Sequence, residues 1–320
     1  MATVALLGAA GAIGNSVARS LRARGTPYRV VGREAGRLQQ SFGTDPLAEI
    51  ASWNPDDPAS VRAALRGIQT AIYLVGVPYH QFQLHPAVMQ KTLDGAIGES
   101  VERMLLIGTV YPYGVPQTSK VSEDHPRDPQ TFKGRMRKQQ EDLLLAADAA
   151  GRIRGAILRL PDFYGPLVDR SYLHSLFQAA AGGGTANVLG PIDRPHEFVF
   201  VPDVGDVVTA LAAKPEAYGR WWNLAGAGVI TQREIIDSVF QMAGRKPKYR
   251  VAGKLTLRLL GVFNPQLREL VEMHYLLTNP VLLDDTAIHK LLGDIRKTPY
   301  SEGLRLTLDA YQSAAANQRK

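Results

Sequence analysis

The chain has 320 residues, 45% hydrophobic and 21% charged, enough to bury a full α/β core with a smaller lobe beside it. It has no cysteine, which excludes disulfides, thiolate catalysis and cysteine-ligated metal centres, and its seven histidines are too scattered to suggest a metal site. The net charge of +7 permits an acidic partner, but Lys and Arg run along the whole length, which sets nucleic acid aside and suits a polyanionic small ligand.

The sequence passes from Met1 straight into a strand, and no apolar run approaches the ~20 residues of a membrane helix. A cytoplasmic protein with no membrane partner is expected.

Thr3 to Leu7 (TVALL) reads as a strand, followed by GAAGAIG and then by the helical pattern NSVARSLRARG. Strand, glycine turn and helix in that order form a phosphate cradle. Gly8 allows a sharp turn, Gly11 a close approach to a pyrophosphate, and Gly14 tight packing of helix on strand. The uncapped helix N-terminus offers N–H groups to the anion, so Gly8, Ala10, Gly11, Ala12, Ile13 and Gly14 are expected to line a dinucleotide.

Tyr28 to Val31 reads as the second strand, ending at Gly32-Arg33. A basic residue here accommodates a ribose 2′-phosphate, so Arg33 points to NADP over NAD, with Glu34 next door as the counter-signal. Asp57-Pro58 starts a capped helix running to Leu65, and Thr70 to Val75 is a buried strand. Val75, Gly76 and Val77 fall at its carboxyl edge, where open α/β sheets bind ligands. Ser52, Trp53 and Asn54 would pass the adenine. Val88 to Gly98 is helical, and Arg103 to Ile107 is the next strand.

After that strand, Gly108-Thr109-Val110-Tyr111-Pro112-Tyr113-Gly114 resembles the Ser/Thr-bearing motif ending in Tyr-Gly of the extended short-chain dehydrogenase/reductases, the NAD-dependent epimerase/dehydratase group. Leu158 to Pro166 (LRLPDFYGP) and Phe198 to Val204 (FVFVPDV) resemble later motifs of that family, and the likeness runs from about Val4 to about Tyr311. The resemblance implies a doubly wound parallel-sheet Rossmann fold with a smaller C-terminal substrate lobe. Residues 1–165 and 197–225 would form the dinucleotide domain, and residues 166–196 and 226–320 the lobe. It also implies that Leu160, Phe163 and Thr109 lie along the cofactor, with Thr109 at the catalytic Ser/Thr position.

The family's Tyr-x-x-x-Lys is absent. The helix from Lys133 (KGRMRKQQEDLLLAA) puts Lys133 where the Tyr belongs, Arg137 where the Lys belongs, and Glu141 in its usual place. Lys133 and Arg137 are neighbours on the helix, a like-charge pair that disfavours the ammonium and would suit Lys133 to acid–base work. Arg137 would hold ribose hydroxyls. The alternatives are a tyrosine from the preceding loop, with Tyr111 freer than Tyr113, or a dinucleotide-binding sensor without turnover, as in NmrA-like regulators.

In the lobe, Val168 to Ala181 reads as a helix, Asn187 to Ile192 as a strand, and His196 to Phe200 as a return to the main sheet. Phe163 and Tyr164 would floor the substrate pocket. Asp162, Tyr111, His174 and Arg194 are further candidates for substrate contact. Asp203 reads as a structural cap. Leu255, Leu259 and Leu260, then Leu270, Val271, Met273 and Leu276, form stripes at helical spacing, read mostly as packing between lobes, with a few exposed ones available to line an apolar pocket.

The expected activity is an NADP-dependent oxidoreduction of a carbonyl/alcohol pair on a small molecule. The alternative is a sugar-type epimerase or dehydratase with tightly bound NAD(P). No diphosphate-binding cluster marks the lobe for nucleotide sugars. A homodimer is a family expectation only.

Overall fold

The computed structural model describes residues 1–166 and 168–317, apart from the Gln266 side chain; the last three residues of the expected lobe lie outside them. Aliphatic runs flanked by glycine and proline produce the alternation β1 (Val4–Leu7), α1 (Ala12–Ala23), β2 (Tyr28–Gly32), α2 (Ala35–Phe42), β3 (Ala48–Ser52), α3 (Pro58–Leu65), β4 (Thr70–Tyr73), α4 (Leu84–Gly98), β5 (Arg103–Thr109), α5 (Phe132–Ala149) and β6 (Arg154–Leu160). Two caps read from sequence act as such: Asp57 accepts from the Ala59 N–H at 2.9 Å, and Pro58 stands in the first turn of α3.

With the strand Arg220–Asn223, these strands form a seven-stranded parallel sheet in the order Arg220–Asn223, β6, β5, β4, β1, β2, β3. The order reverses between β1 and β4, which opens a crevice at their carboxyl ends. One apolar core packs on each face. Leu6, Val30, Ile72, Leu105 and Leu158 point to one side, and Leu7, Val31, Tyr73, Leu106 and Ile157 to the other. This is the alternation a strand imposes when both faces are covered.

Helix Val201–Ala213 lies against α1 so closely that a Cβ on Gly205 would come within 2.2 Å of the Ser16 carbonyl oxygen. The Ser20 hydroxyl seals the pair with a 2.5 Å hydrogen bond to Asp206.

A third core, built from Leu176, Phe177, Phe198, Phe200, Ile236, Phe240 and Leu304, holds the lobe together. Its strands differ from expectation. Phe198–Phe200 pairs with Asp162–Tyr164 in a separate two-stranded sheet instead of rejoining the main one, and Ala186–Leu189 pairs with Tyr249–Ala252. The lobe helix is shorter than read, His174–Gly182. Late in the chain, Ile288 returns to the main core with no exposure.

Candidate active site

The glycine turn has the geometry a pyrophosphate needs. Gly8 takes φ +88°, a region that L side chains avoid, and a Cβ there would press within 3.0 Å of the Leu74 and Val75 backbone. Gly14 is tighter, since its Cβ would stand 2.2 Å from the Ala9 carbonyl oxygen. Gly11 faces the opposite situation, with only the Gly8 oxygen, 3.8 Å away, near the place of a Cβ. The turn is therefore packed from below and open above. Gly11 is the N-cap of α1; no side chain caps this end, and no acidic residue stands in the first turn. Fixed N–H groups and the dipole of α1 thus face the crevice, and these residues fit a dinucleotide phosphate.

Ala10, Ala12, Ile13, Val75 and Val77 are half-buried around this turn, and Gly76 is exposed with nothing within 4 Å of its Cβ position. Arg33 and Glu34 both stand exposed past β2, Glu34 as the extended N-cap of α2. Of the adenine candidates, Trp53 is buried in the core while Ser52 and Asn54 are exposed.

Helix α5 starts where the Thr131 hydroxyl accepts from the Gly134 N–H at 3.1 Å. Lys133 does not stand beside Arg137 as a free cation. It is 1% exposed, over the rings of Tyr79 and Phe82, and its Nζ donates to Glu269 Oε2 at 2.5 Å and to Glu272. The expected like-charge pair is answered by two carboxylates from the C-terminal segment, so Lys133 ties α5 to the helix Pro265–Val271 and the turn after it. Those bonds give Lys133 a structural task and turn its Nζ onto carboxylates of the C-terminal segment.

Arg137 also turns inward, donating to the Ile107 carbonyl and to His85 Nδ1, both at 3.2 Å. Burial and the Arg137 charge push the His85 imidazole down to about 2, so it is neutral and accepts the guanidinium N–H. Glu141 takes a bidentate pair from the unexposed Arg159, at 3.0 and 2.6 Å, and a third bond from Arg127 at 3.1 Å. The Arg159 guanidinium lies over the Tyr113 ring at 4.6 Å, and the Tyr113 hydroxyl donates to Asn223 at 2.8 Å.

Tyr111 comes from the turn after β5, where the Thr109 hydroxyl accepts its N–H at 3.3 Å. Its own hydroxyl is 2.7 Å from that of Tyr79, which follows β4. Burial, then the neighbouring Tyr79, Tyr172 and Asp162, raise the Tyr111 phenol well above the ordinary tyrosine value; burial likewise raises Tyr79 and Tyr172. The phenols stay protonated through neutral pH, as a proton donor requires. Asp162, the first residue of the short strand Asp162–Tyr164, pairs with His196 Nε2 at 2.7 Å. Crossover from different strands thus gathers Thr109, Tyr111, Tyr79, Tyr172, Asp162 and His196 at one sheet edge.

Other expected contacts fall elsewhere. Tyr164 is 1% exposed and packs against Phe200 and Tyr300, so it belongs to the lobe core and not to a pocket floor. Leu160 is buried in the main core, against which Phe163 packs, half-buried. His174 binds the Tyr311 hydroxyl at 2.7 Å, and Arg194 is exposed. Asp203 holds the Thr298 N–H and hydroxyl at 2.7 and 2.8 Å, a structural tie.

Sequence reasoning missed Tyr79, Tyr172, His85, Glu269 and Glu272. Only Tyr79 carried a local signal, a tyrosine just past the Gly-Val-Pro that ends the fourth strand. No cluster of metal-ligating groups occurs among the described residues.

Comparison with known proteins agrees with this fold. A curated relative, the dTDP-6-deoxy-L-talose 4-dehydrogenase (NAD(P)(+)) of Kitasatospora kifunensis, is 26% identical over 258 residues, 76% of this chain and 80% of that protein. Among solved structures, the UDP-glucuronic acid 4-epimerase of Bacillus cereus in complex with NAD superposes with TM-score 0.81 at 17% identity, over 97% of this chain and 99% of that one. The dTDP-glucose 4,6-dehydratase of Streptomyces venezuelae with NAD bound does so with TM-score 0.81 at 17% identity, over 98% of both chains. At those identities the superpositions speak for the fold. Residues 4–225, covering the glycine turn, the Thr109 motif and the Leu-Arg strand, match the family model itself: the chain belongs to the NAD dependent epimerase/dehydratase family.

Proposed function

We propose that the protein is an NAD(P)-dependent enzyme that interconverts a secondary alcohol and a ketone on a sugar nucleotide, as its net reaction or as the opening step of an epimerisation or dehydration. What supports the reading is a glycine cradle open above Gly11 and, beyond the carboxyl ends of the neighbouring strands β4 and β5, a protonated tyrosine pair beside Thr109. The relatives named for dTDP- and UDP-sugars support a sugar nucleotide over the broader carbonyl substrates the sequence suggested. Exposed Arg33 favours a 2′-phosphate, while the NAD named in the related structures supports NAD at least as well.

Bound NAD(P) supplies the hydride acceptor and donor. The chain's own residues handle the oxygen. Thr109 and Tyr111 hydrogen-bond the substrate oxygen, and Tyr111 gives up or regains its proton with Tyr79 as relay, while Asp162 with His196 provides the acid–base sink beyond them. Arg137, bonded to His85 and Ile107, adds positive potential beneath the site and supports the ribose side.

The test is a panel of dTDP- and UDP-hexoses with NAD+ and with NADP+, read by nicotinamide absorbance for net redox and by NMR for epimer or dehydrated product. Turnover with at least one sugar nucleotide is expected. Tight cofactor binding with no product by either readout would favour a non-catalytic sensor, a role that the loss of the family Tyr and Lys at Lys133 and Arg137 allows.

A further inference from the structure

The helix Lys254–Gly261 and the turn after it do not pack as the stripe at helical spacing suggested. Leu257 is buried, but Leu255, Leu259, Val262 and Phe263 are 70%, 64%, 75% and 89% exposed. They stand at i, i+4, i+7 and i+8, one side of a helix, with Leu260 and, on the preceding strand, Val251 also exposed. Exposed apolar side chains gathered in one segment mark an interaction site.

The charge along this segment is equally one-sided. Between Asp237 and Glu269 the chain has no acidic residue, yet it carries Arg245, Lys246, Lys248, Arg250, Lys254, Arg258 and Arg268, all exposed. The whole chain has 37 basic and 30 acidic residues, so this segment alone accounts for its net +7. Lys and Arg occur throughout the sequence; what distinguishes this stretch is the missing acids. The nearest carboxylates on its C-terminal side, Glu269 and Glu272, are turned onto Lys133.

We propose that this segment is a docking surface for an anionic lipid bilayer, with the Leu255–Leu259–Val262–Phe263 stripe entering the headgroup boundary and the seven cations meeting lipid phosphates and carboxylates. An apolar helical stripe flanked by Lys and Arg is the design of an interfacial helix. A second copy of the chain fits poorly, because an isologous contact brings the seven cations against seven more. Nucleic acid would satisfy the cations but leave the apolar stripe against phosphate. The expectation of no membrane partner rested on the lack of a spanning segment. No described helix is long and apolar enough to cross a membrane, and a surface-bound helix does not need to be.

Flotation of the full chain with vesicles of neutral phosphatidylcholine, and with vesicles containing about 30 mol % phosphatidylglycerol, tests the proposal. The protein is expected to float with the anionic vesicles, increasingly so as salt is lowered. Lys254→Gln/Arg258→Gln should lower the partition about five-fold per charge removed. Leu259→Asp/Phe263→Asp should abolish flotation with an unchanged melting temperature, since both side chains are exposed. Equal failure on both vesicle types overturns the proposal, as does flotation that survives both variants. Sedimentation as a dimer that Leu259→Asp dissociates, without vesicle binding, assigns the surface to a second copy instead.

Discussion

The Tyr111 hydroxyl lies 2.7 Å from the Tyr79 hydroxyl, and neither residue belongs to the helix that carries the family's usual phenol. At that distance one phenol donates its proton to the oxygen of the other, and burial keeps both protonated and the pair uncharged.

If this pair serves the reaction, Tyr111→Phe lowers kcat by about 10²–10⁴ while leaving the cofactor Kd unchanged. Tyr79→Phe, which removes only the relay, produces a smaller loss. Steady-state kinetics on both variants decide the matter. An unaltered kcat in Tyr111→Phe hands the proton to another group.

Gly11 and Gly14 separate binding from folding. A methyl at Gly11 meets open space, so Gly11→Ala keeps the melting temperature and weakens cofactor binding, the methyl standing where a phosphate approaches. A methyl at Gly14 meets the Ala9 carbonyl at 2.2 Å, so Gly14→Ala lowers the melting temperature as well. Thermal melts with and without NAD(P) distinguish the two.

Lys133→Met leaves Glu269 and Glu272 facing each other over the Tyr79 and Phe82 rings without their cation. Both carboxylates retain some exposure, so the loss is about 1–3 kcal/mol, below the figure for a fully buried broken pair. Adding Glu272→Gln should recover part of it in a double-mutant cycle. If Lys133 were instead the proton donor, its variant would lose turnover with little change in stability.

Burial raises the Glu197 carboxyl to about 7 against 4.5 for an ordinary glutamate, although the Leu283 N–H at 3.2 Å partly offsets the effect. Between those values the unfolded chain has released the proton that the folded one still holds. The group's contribution is complete below pH 4.5 and is lost as pH rises through 7. Glu197→Gln should match wild type below about pH 4.5 and exceed it above pH 7, by up to about 3 kcal/mol. Denaturant melts across that range check it, and parallel curves for the two proteins would count against a neutral Glu197.

Much of the dinucleotide half is legible in the sequence because its strands are continuous aliphatic runs and its turns carry glycines with steric reasons to be there. Strand β3 (AEIAS) escapes notice: at the sheet edge its pattern mixes polar and apolar residues. The partners of Lys133 are beyond local reading, lying 136 and 139 residues away. The pairing of Phe198–Phe200 with Asp162–Tyr164 was equally hidden, since a short aromatic strand suits either sheet. The stripe at Leu255 and Leu259 shows a further limit. Helical spacing tells which side chains share a face, not whether anything covers that face.

The Gly205–Ser16 contact bears on motion. Helix α1 and helix Val201–Ala213 touch backbone to backbone, with the Ser16 hydroxyl accepting the Gly205 N–H at 3.2 Å and donating to the Pro202 carbonyl at 3.2 Å. Two rods in such contact cannot slide without breaking buried hydrogen bonds. Helix α1, which follows the glycine turn, is therefore held as on an anvil, and it cannot shift without carrying Val201–Ala213 with it.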